Sequence, residues 1–308
     1  MRGPALLTAW LTARAGTVAA GGGEDTPRVP TPDPFSYKSP ENWHSRYPAC
    51  GGSKQSPIDL DRTAVSIHGP YNGLRRIVHY PVAMPGKADV LPLEDNTKTM
   101  EVPGRFGSVQ LWPGPSGRFE VQQFHFHFPS EHTVDGKHYA GEMHIVHTNS
   151  QGHVLVIGLF FEEGKLDNPF LETLDWQKKT LPQAEREIFL HSPLNITGSF
   201  SAQFDGDYFS YGGSLTTPPC TEGVHWLVLA APAPVSARQV EAFKLRFPDP
   251  MNNRPVQARN GRILAIDKLP PLEMPSFVYR DGSVTQHVLA FFFTGVLLAI
   301  FWIECCKK

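Results

Sequence analysis

Short apolar runs recur through the central part of the chain, and turn residues separate them. Apolar runs of four to eight residues that are bounded by turn residues are typical of strands. The pattern predicts strands at residues 90–93, 108–112, 120–128, 142–147, 154–161 and 224–230. Helical spacing is confined to residues 169–181 and 237–247. We therefore expect a mostly β domain with a few short surface helices.

Composition supports one globular domain. Apolar residues make up 41% of the 308 residues and charged residues 19%, which is enough apolar surface for a core. The 29 prolines and 27 glycines interrupt the chain too often for a helical bundle. Lysine and arginine number 28 against 30 acidic residues, a net charge of −2, which excludes nucleic acid as an electrostatic partner.

The start of the chain has features of a secretory leader. An early arginine, an apolar run over residues 5–13 and small residues at 18–20 predict a signal peptide at 1–20. Arg14 interrupts the apolar run, so the alternative is a disordered leader. Residues 21–34, rich in glycine and proline, predict a linker. No repeat or charge run divides the region that follows, at 35–272.

The end of the chain predicts a membrane anchor. Residues 284–303 contain no Asp, Glu, Lys or Arg and would extend about 30 Å as a helix, the thickness of the hydrocarbon core. Lys307 and Lys308 follow, as the cytoplasmic side of a single-pass type I anchor requires. Residues 273–283 then form a juxtamembrane linker, and 304–308 a short cytoplasmic tail. The alternatives are a buried core helix and a removable signal for a glycolipid anchor at the cell surface.

The four cysteines fall into two groups. Cys305 and Cys306 follow the predicted span and are candidates for palmitoylation. Cys50 and Cys220 lie in the globular region, where an even count on a secreted chain favours a disulfide, with two buried thiols as the alternative. Asn195 begins the only N-glycosylation sequon, Asn-Ile-Thr, which fits an extracellular or lumenal domain.

Three histidines are spaced to share a metal ion. His125 and His127 alternate along one predicted strand, so they share a face, and His144 lies on the next strand. Three protein ligands with an open fourth position are typical of catalytic zinc. Gln123 and Glu142 share those faces and are expected to accept the second N–H of an imidazole. The alternatives are surface histidines or hydrogen-bonded core histidines.

Five separated segments resemble those of the α-class carbonic anhydrases. The resemblance extends over residues 35–269 and identifies 35–272 as the catalytic domain. It implies a large twisted, mainly antiparallel central sheet with short helices around it and zinc in a conical cleft. The segments are QSPIDL (55–60), QFHFH (123–127), SEHTVDGKHYAGEMHIVH (130–147), SLTTPPCTEGVHW (214–226) and NNRPVQ (252–257).

The resemblance implies reversible hydration of carbon dioxide to bicarbonate and a proton by zinc-bound hydroxide. It assigns Zn²⁺ to the three histidines and makes the backbone carbonyl of Asn252 a further hydrogen-bond acceptor. Thr216 would accept a hydrogen bond from the hydroxide, in an orientation held by Glu131. The alternative is a catalytically inactive adhesion or binding ectodomain on the same fold, but such relatives typically lack a zinc histidine.

The resemblance also implies a substrate site and a disulfide. Thr217 would line the bicarbonate site, and Tyr37 and Asn96 would order a chain of solvent. Cys50 and Cys220 occupy the positions of the disulfide of secreted and membrane-bound members. Carbon dioxide would lie in an apolar pocket formed by Val146, Val156, Leu215, Val224 and Trp226.

Lys98 aligns with the usual position of the proton-shuttling histidine. A lysine with the ordinary pKa of about 10.4 stays protonated near neutral pH and does not readily accept a proton. The alternatives are that Lys98 is a solvated surface charge, or that His79 or a chain of cleft waters moves the proton.

Overall fold

The computed structural model describes residues 35–68, 75–83, 91–112, 117–174, 176, 187–247 and 251–267. Their strands form one twelve-stranded sheet and a separate two-stranded sheet. The strands are β1 (Ile67–His68), β2 (Arg75–His79), β3 (Pro92–Asp95), β4 (Met100–Pro103), β5 (Ser108–Trp112), β6 (Arg118–His127), β7 (Thr133–Val134), β8 (Lys137–His138), β9 (Gly141–Thr148), β10 (Val154–Gly164), β11 (Glu187–Phe189), β12 (Tyr208–Ser214), β13 (Glu222–Ser236) and β14 (Ala265–Asp267).

The helices are short, as the sequence predicts. The longest, α5, begins at a capping box in which the Ser236 hydroxyl accepts the backbone N–H of Gln239. The helix predicted at 169–181 ends at Thr173. The α-helices are α1 (Trp43–Arg46), α2 (Pro169–Thr173), α3 (Ile196–Ser199), α4 (Ser201–Phe204) and α5 (Ala237–Arg246), and 3-10 turns occupy Pro40–Asn42, Pro48–Gly51 and Arg62–Ala64.

The large sheet is mainly antiparallel, which confirms the expected fold class. Its strand order is β1-β14-β12-β13-β10-β9-β6-β4-β3-β11, with β5 beside β6 and β2 beside β5. Two pairs, β1 with β14 and β10 with β13, are parallel. Strands β6, β9 and β10 lie next to one another, so the predicted histidine strands are neighbours.

The two faces of β6 and β9 bury different residues. Phe124, Phe126 and Ile145 are fully buried in the larger apolar cluster. The alternate positions, including Val146 on β9, face a second cluster that contains Val156 and other apolar residues. The period of two therefore separates a phenylalanine core from the histidine face.

The N-terminal part of the described chain packs as a small aromatic cluster. Phe35 and Tyr37 contact Trp43 edge to face, and the disulfide between Cys50 and Cys220 lies against these rings. The disulfide expectation is confirmed.

Within the described ranges, no helix is both long and apolar enough to cross a membrane. The predicted signal peptide, both linkers, the span at 284–303, Cys305 and Cys306 all lie outside those ranges.

Candidate metal centre

The sheet brings the three predicted histidines together. His125 on β6 lies directly opposite His144 on β9, and His127 follows two residues along the same face. One ring nitrogen of each histidine lies within 4.8 Å of the others. His127 and His144 are buried, whereas His125 is half-buried.

A separate acceptor faces the second nitrogen of each ring. His125 donates Nδ1–H to Oε1 of Gln123 at 2.8 Å, and His127 donates Nδ1–H to the carbonyl of Asn252 at 2.6 Å. These bonds leave both Nε2 atoms for the centre of the site. The buried Nε2 of His127 has no hydrogen-bond partner, as an atom awaiting a metal ion would.

His144 is oriented the other way round. Its Nε2 lies 3.0 Å from Oε1 of Glu142, which leaves Nδ1 toward the centre. Gly158 lies opposite His144 on β10, and a Cβ there would come within 2.8 Å of the same Glu142 oxygen. A glycine at this position therefore makes room for the carboxylate.

At His125 and His127 the electrostatics favour the neutral imidazole, the form that binds metal. Burial lowers the pKa of His125 well below its ordinary value, and the neighbouring His127 and His144 lower it further. Burial also lowers the pKa of His127, against the opposing effect of Glu131. Three imidazole nitrogens on neighbouring strands fit zinc, and uncharged ligands leave the metal its full positive charge.

Glu142 belongs to a buried chain of polar groups that sequence reasoning missed. Its Oε1 accepts from Nδ1 of His132 at 2.7 Å, and His132 Nε2 meets the Tyr211 hydroxyl at 2.7 Å. That hydroxyl contacts the Ser56 hydroxyl at 2.8 Å. Burial works to raise the pKa of Glu142, but His132 and His144 outweigh it and hold the pKa well below its usual value. His132 and Ser56 lie inside recognisable segments, but only the fold shows that they connect.

Glu131 points at the metal centre rather than at Thr216. Its Oε1 accepts the backbone N–H of Arg254 at 2.8 Å. Its Oε2 lies 3.5 Å from Nε2 of His127 and 3.9 Å from Nδ1 of His144, and has no hydrogen-bond partner. The expected hydrogen bond from the Thr216 hydroxyl is therefore not formed here, because the carboxylate faces the ring nitrogens. Thr216 itself is buried in the loop after β12.

The five predicted pocket residues meet in one apolar cluster beside the histidines. Val156 pairs with Val146 on one side and with Trp226 on the other. The indole of Trp226 lies 4.9 Å from the imidazole ring of His144, between centroids. The half-buried Leu215 and the buried Val224 pack in the same cluster, and the half-buried Thr217 follows Thr216 in the loop.

The turn between β3 and β4 carries the residues expected to handle protons. Thr97 has a φ of 70°, a strained value for a β-branched residue, and Lys98 is half-buried with Nζ 5.4 Å from the Phe35 ring centre. The exposed Asn96 donates its side-chain N–H to Glu101 at 3.0 Å. Burial raises the pKa of Glu101, a residue that the sequence did not single out, to about 7.

Two further residues are candidates for a role in proton transfer, Tyr37 and His79. Neither belongs to the turn between β3 and β4. Tyr37 is buried in the aromatic cluster, where burial and then Glu131 raise its pKa well above the ordinary value. His79 is exposed at the end of β2.

Comparison with known proteins decides the family. A family model described as eukaryotic-type carbonic anhydrase matches residues 38–267. The chain belongs to the α-class carbonic anhydrases. It is therefore an enzyme that acts on carbon dioxide and bicarbonate, and its histidine cluster fits the zinc of this family. Because all three histidines converge, the inactive alternative has no support.

The relatives span most of the carbonic anhydrase domain. A carbonic anhydrase of Klebsiella pneumoniae is 37% identical over 75% of this chain and 89% of its own. One from a Nostoc species is 37% identical over 73% of this chain and 81% of its own. The solved α-carbonic anhydrase of Thermovibrio ammonificans, in complex with the inhibitor sulfanilamide, is 35% identical with a TM-score of 0.64, covering 75% of this chain and 96% of the other.

Proposed function

We propose that the chain catalyses zinc-dependent reversible hydration of carbon dioxide to bicarbonate and a proton, with zinc held by His125, His127 and His144. One observation carries the proposal. Each imidazole has one nitrogen close to an oxygen of its own, at Gln123, Asn252 or Glu142, and ring nitrogens of all three lie within 4.8 Å of one another.

When bound, zinc lowers the pKa of a water molecule to about 7 and so provides a strong nucleophile at neutral pH. The histidines contribute neutral donors whose tautomers are fixed by their acceptors. His125 and His127 present Nε2, whereas His144 presents Nδ1. Fixed tautomers keep the donors in place without reorganisation during turnover.

Glu131 and Thr216 orient the reacting oxygen in this account. A threonine hydroxyl has one proton. If Thr216 donates that proton to the partnerless Oε2 of Glu131, its own oxygen can only accept, which fixes the direction of the attacking lone pair. For this bond Oε2 of Glu131 has to face the Thr216 hydroxyl rather than the ring nitrogens, while the Arg254 N–H holds the other oxygen.

The apolar cluster around Trp226 is the proposed carbon dioxide pocket, with Thr217 lining the bicarbonate site. An apolar wall holds an uncharged substrate without offering ligands that compete for the metal. In the turn between β3 and β4, Lys98 occupies the proposed proton-transfer position, with Tyr37 and Asn96 ordering solvent.

We also propose that the enzyme is secreted and membrane-anchored, with a signal peptide at 1–20 and a span at 284–303. The disulfide supports an oxidising compartment. Asn195 is exposed, and its side-chain oxygen accepts the N–H of Gly198 at 2.8 Å, which leaves the amide nitrogen for a glycan. Release of the domain by a glycolipid-specific phospholipase, with loss of a tag placed after Lys308, would favour the lipid anchor.

The test of the catalytic proposal is a stopped-flow hydration assay on the purified chain, before and after treatment with a chelator. We expect fast hydration that the chelator abolishes and added zinc restores. Hydration that survives complete zinc removal would overturn the proposal.

A further inference from the structure

Two backbone groups of the NNRPVQ segment reach the metal centre. The carbonyl of Asn252 accepts from Nδ1 of His127 at 2.6 Å, and the N–H of Arg254 donates to Oε1 of Glu131 at 2.8 Å. The chain from 251 to 264 forms no helix or strand in the part that the structure describes. No regular ladder therefore holds these two groups in position.

The side chain of Asn252 forms hydrogen bonds with Phe126 and Phe128, the residues before and after His127, and so holds its own backbone next to that histidine. Its Nδ2 donates to the carbonyl of Phe126 at 2.8 Å and to the carbonyl of Lys98 at 3.0 Å. Its Oδ1 accepts the N–H of Phe128 at 3.1 Å. The residue is 2% exposed, so these bonds do not compete with solvent.

The side chain of Arg254 connects the NNRPVQ segment by hydrogen bonds to residues 50–56 in the N-terminal part of the domain. Its guanidinium donates to Oε1 of Gln55 at 2.9 Å, to the carbonyl of Ser56 at 2.8 Å and to the carbonyl of Cys50 at 3.0 Å. Arg254 is 2% exposed. A buried guanidinium is costly unless its donors are satisfied, so these bonds define where the backbone of Arg254 lies.

We propose that Asn252 and Arg254 are positioning residues, whose side chains lock the segment that orients His127 and Glu131 through its backbone. The inference rests on the proposed function, since it assumes zinc on His127. Neither side chain touches the reacting atoms. Asn252 acts on metal retention through His127, and Arg254 acts on catalysis through Glu131.

The first test compares Asn252→Ala with Asn168→Ala. Asn168 is a matched control because it is 3% exposed, accepts the N–H of Phe170 at 3.0 Å and donates to the carbonyl of Pro234 at 2.7 Å. We expect zinc to leave Asn252→Ala about 10- to 100-fold faster, measured by transfer to a chelator, and to leave Asn168→Ala at the wild-type rate. Equal rates in the two variants would make Asn252 merely structural and overturn its role.

The second test compares Arg254→Met with Arg262→Met. The Arg262 guanidinium likewise makes three hydrogen bonds, to the backbone carbonyls of Gly212, Ala258 and Arg259. We expect Arg254→Met to keep its zinc and lose about tenfold or more in kcat/KM for carbon dioxide, with Arg262→Met near wild type. An unchanged kcat/KM in Arg254→Met, or an equal fall in both, would overturn the role of Arg254.

A third measurement needs no substitution, and it decides the question if a variant does not fold. Coupling is reciprocal, so zinc on His127 should also hold the segment. Hydrogen exchange of the Arg254 amide should slow when zinc is added to the stripped wild-type protein, whereas exchange of the Phe170 amide, bonded to Asn168, should not. Wild type that binds no zinc would contradict the proposed function itself, whereas bound zinc with equal effects on both amides would contradict this inference alone.

Discussion

The metal face, which is the histidine side of β6 and β9, and the turn between β3 and β4 both contact Asn252 but are built differently. On the metal face, strand periodicity places His125 and His127, and each has its own acceptor. In the turn, Lys98 follows Thr97, whose φ of 70° no strand pattern contains. Placement of the proposed metal ligands is thus a property of regular structure, whereas placement of the proposed proton-transfer group depends on loop geometry.

A second contrast lies within β9 itself. His144 and His147 are both buried, yet they lie on opposite faces of the strand. His147 uses both ring nitrogens, one with the Tyr80 hydroxyl at 2.8 Å and one with the carbonyl of Leu155 at 3.2 Å. Burial alone therefore does not indicate a ligand. A free nitrogen that converges with others does.

Removal of one proposed zinc ligand should abolish metal binding. We expect His144→Ala to lose zinc and hydration together, by more than the ~100-fold that loss of a ligand's hydrogen-bond partner costs. Metal analysis and the hydration assay measure the two effects. His147→Gln is the control and should keep both, and stoichiometric zinc with wild-type hydration in His144→Ala would show that the ligands are wrongly chosen.

The orienting hydroxyl should matter for catalysis but not for metal binding. Thr216→Ala is expected to keep its zinc and lose about 100-fold in kcat/KM, because the nucleophile is no longer aimed. Thr216→Ser keeps the hydroxyl and should retain most of the activity. If Thr216→Ala were as active as Thr216→Ser, Thr216 and Glu131 would have no orienting role.

A substitution at Lys98, in the turn between β3 and β4, should change only the rate of proton transfer. Lys98→His places a group with an ordinary pKa of about 6.5 in this turn. Because such a group can accept and release a proton near neutral pH, kcat in dilute buffer should rise. The kcat/KM for carbon dioxide should stay nearly unchanged, because the hydration step is untouched. Assays over a range of imidazole concentrations, with Lys98→Gln as control, measure this. A wild type that is already fast and independent of buffer would mean that another group moves the proton.

The smallest effect concerns stability on the opposite face of β9. Burial lowers the pKa of His147 to about 4, below the ordinary value, so the unfolded chain binds the proton more tightly. The neutral His147 side chain therefore contributes to the free energy of unfolding above pH 6.5. This contribution is lost as the pH falls from 6.5, the ordinary pKa, toward about 4, the pKa in the folded protein, and the loss is about 2 kcal/mol at pH 5.

His147→Gln, which does not titrate, should therefore lose less stability than wild type between pH 7.5 and pH 5. Urea unfolding at the two pH values measures the difference. Identical losses would show that His147 is not responsible for acid sensitivity at this site.

Periodicity explains how much could be predicted. Strands β5, β6, β9, β10 and β13 contain apolar runs between turn residues, and the sequence predicts them together with the three histidines. The two-residue strands β1, β7 and β8 are too short to show a pattern. The role of Arg254 was missed because its partner, Glu131, lies far away in the chain and only the folded backbone brings them together.

The most direct test of zinc-dependent hydration at the three histidines is a zinc titration of the metal-stripped chain, with the rate of carbon dioxide hydration measured by stopped flow after each addition. The rate should rise in proportion to zinc up to one equivalent and then stay level, and His144→Ala should show no rise over the same range. A rate that does not depend on zinc, or a rise in His144→Ala equal to that of wild type, would contradict this prediction.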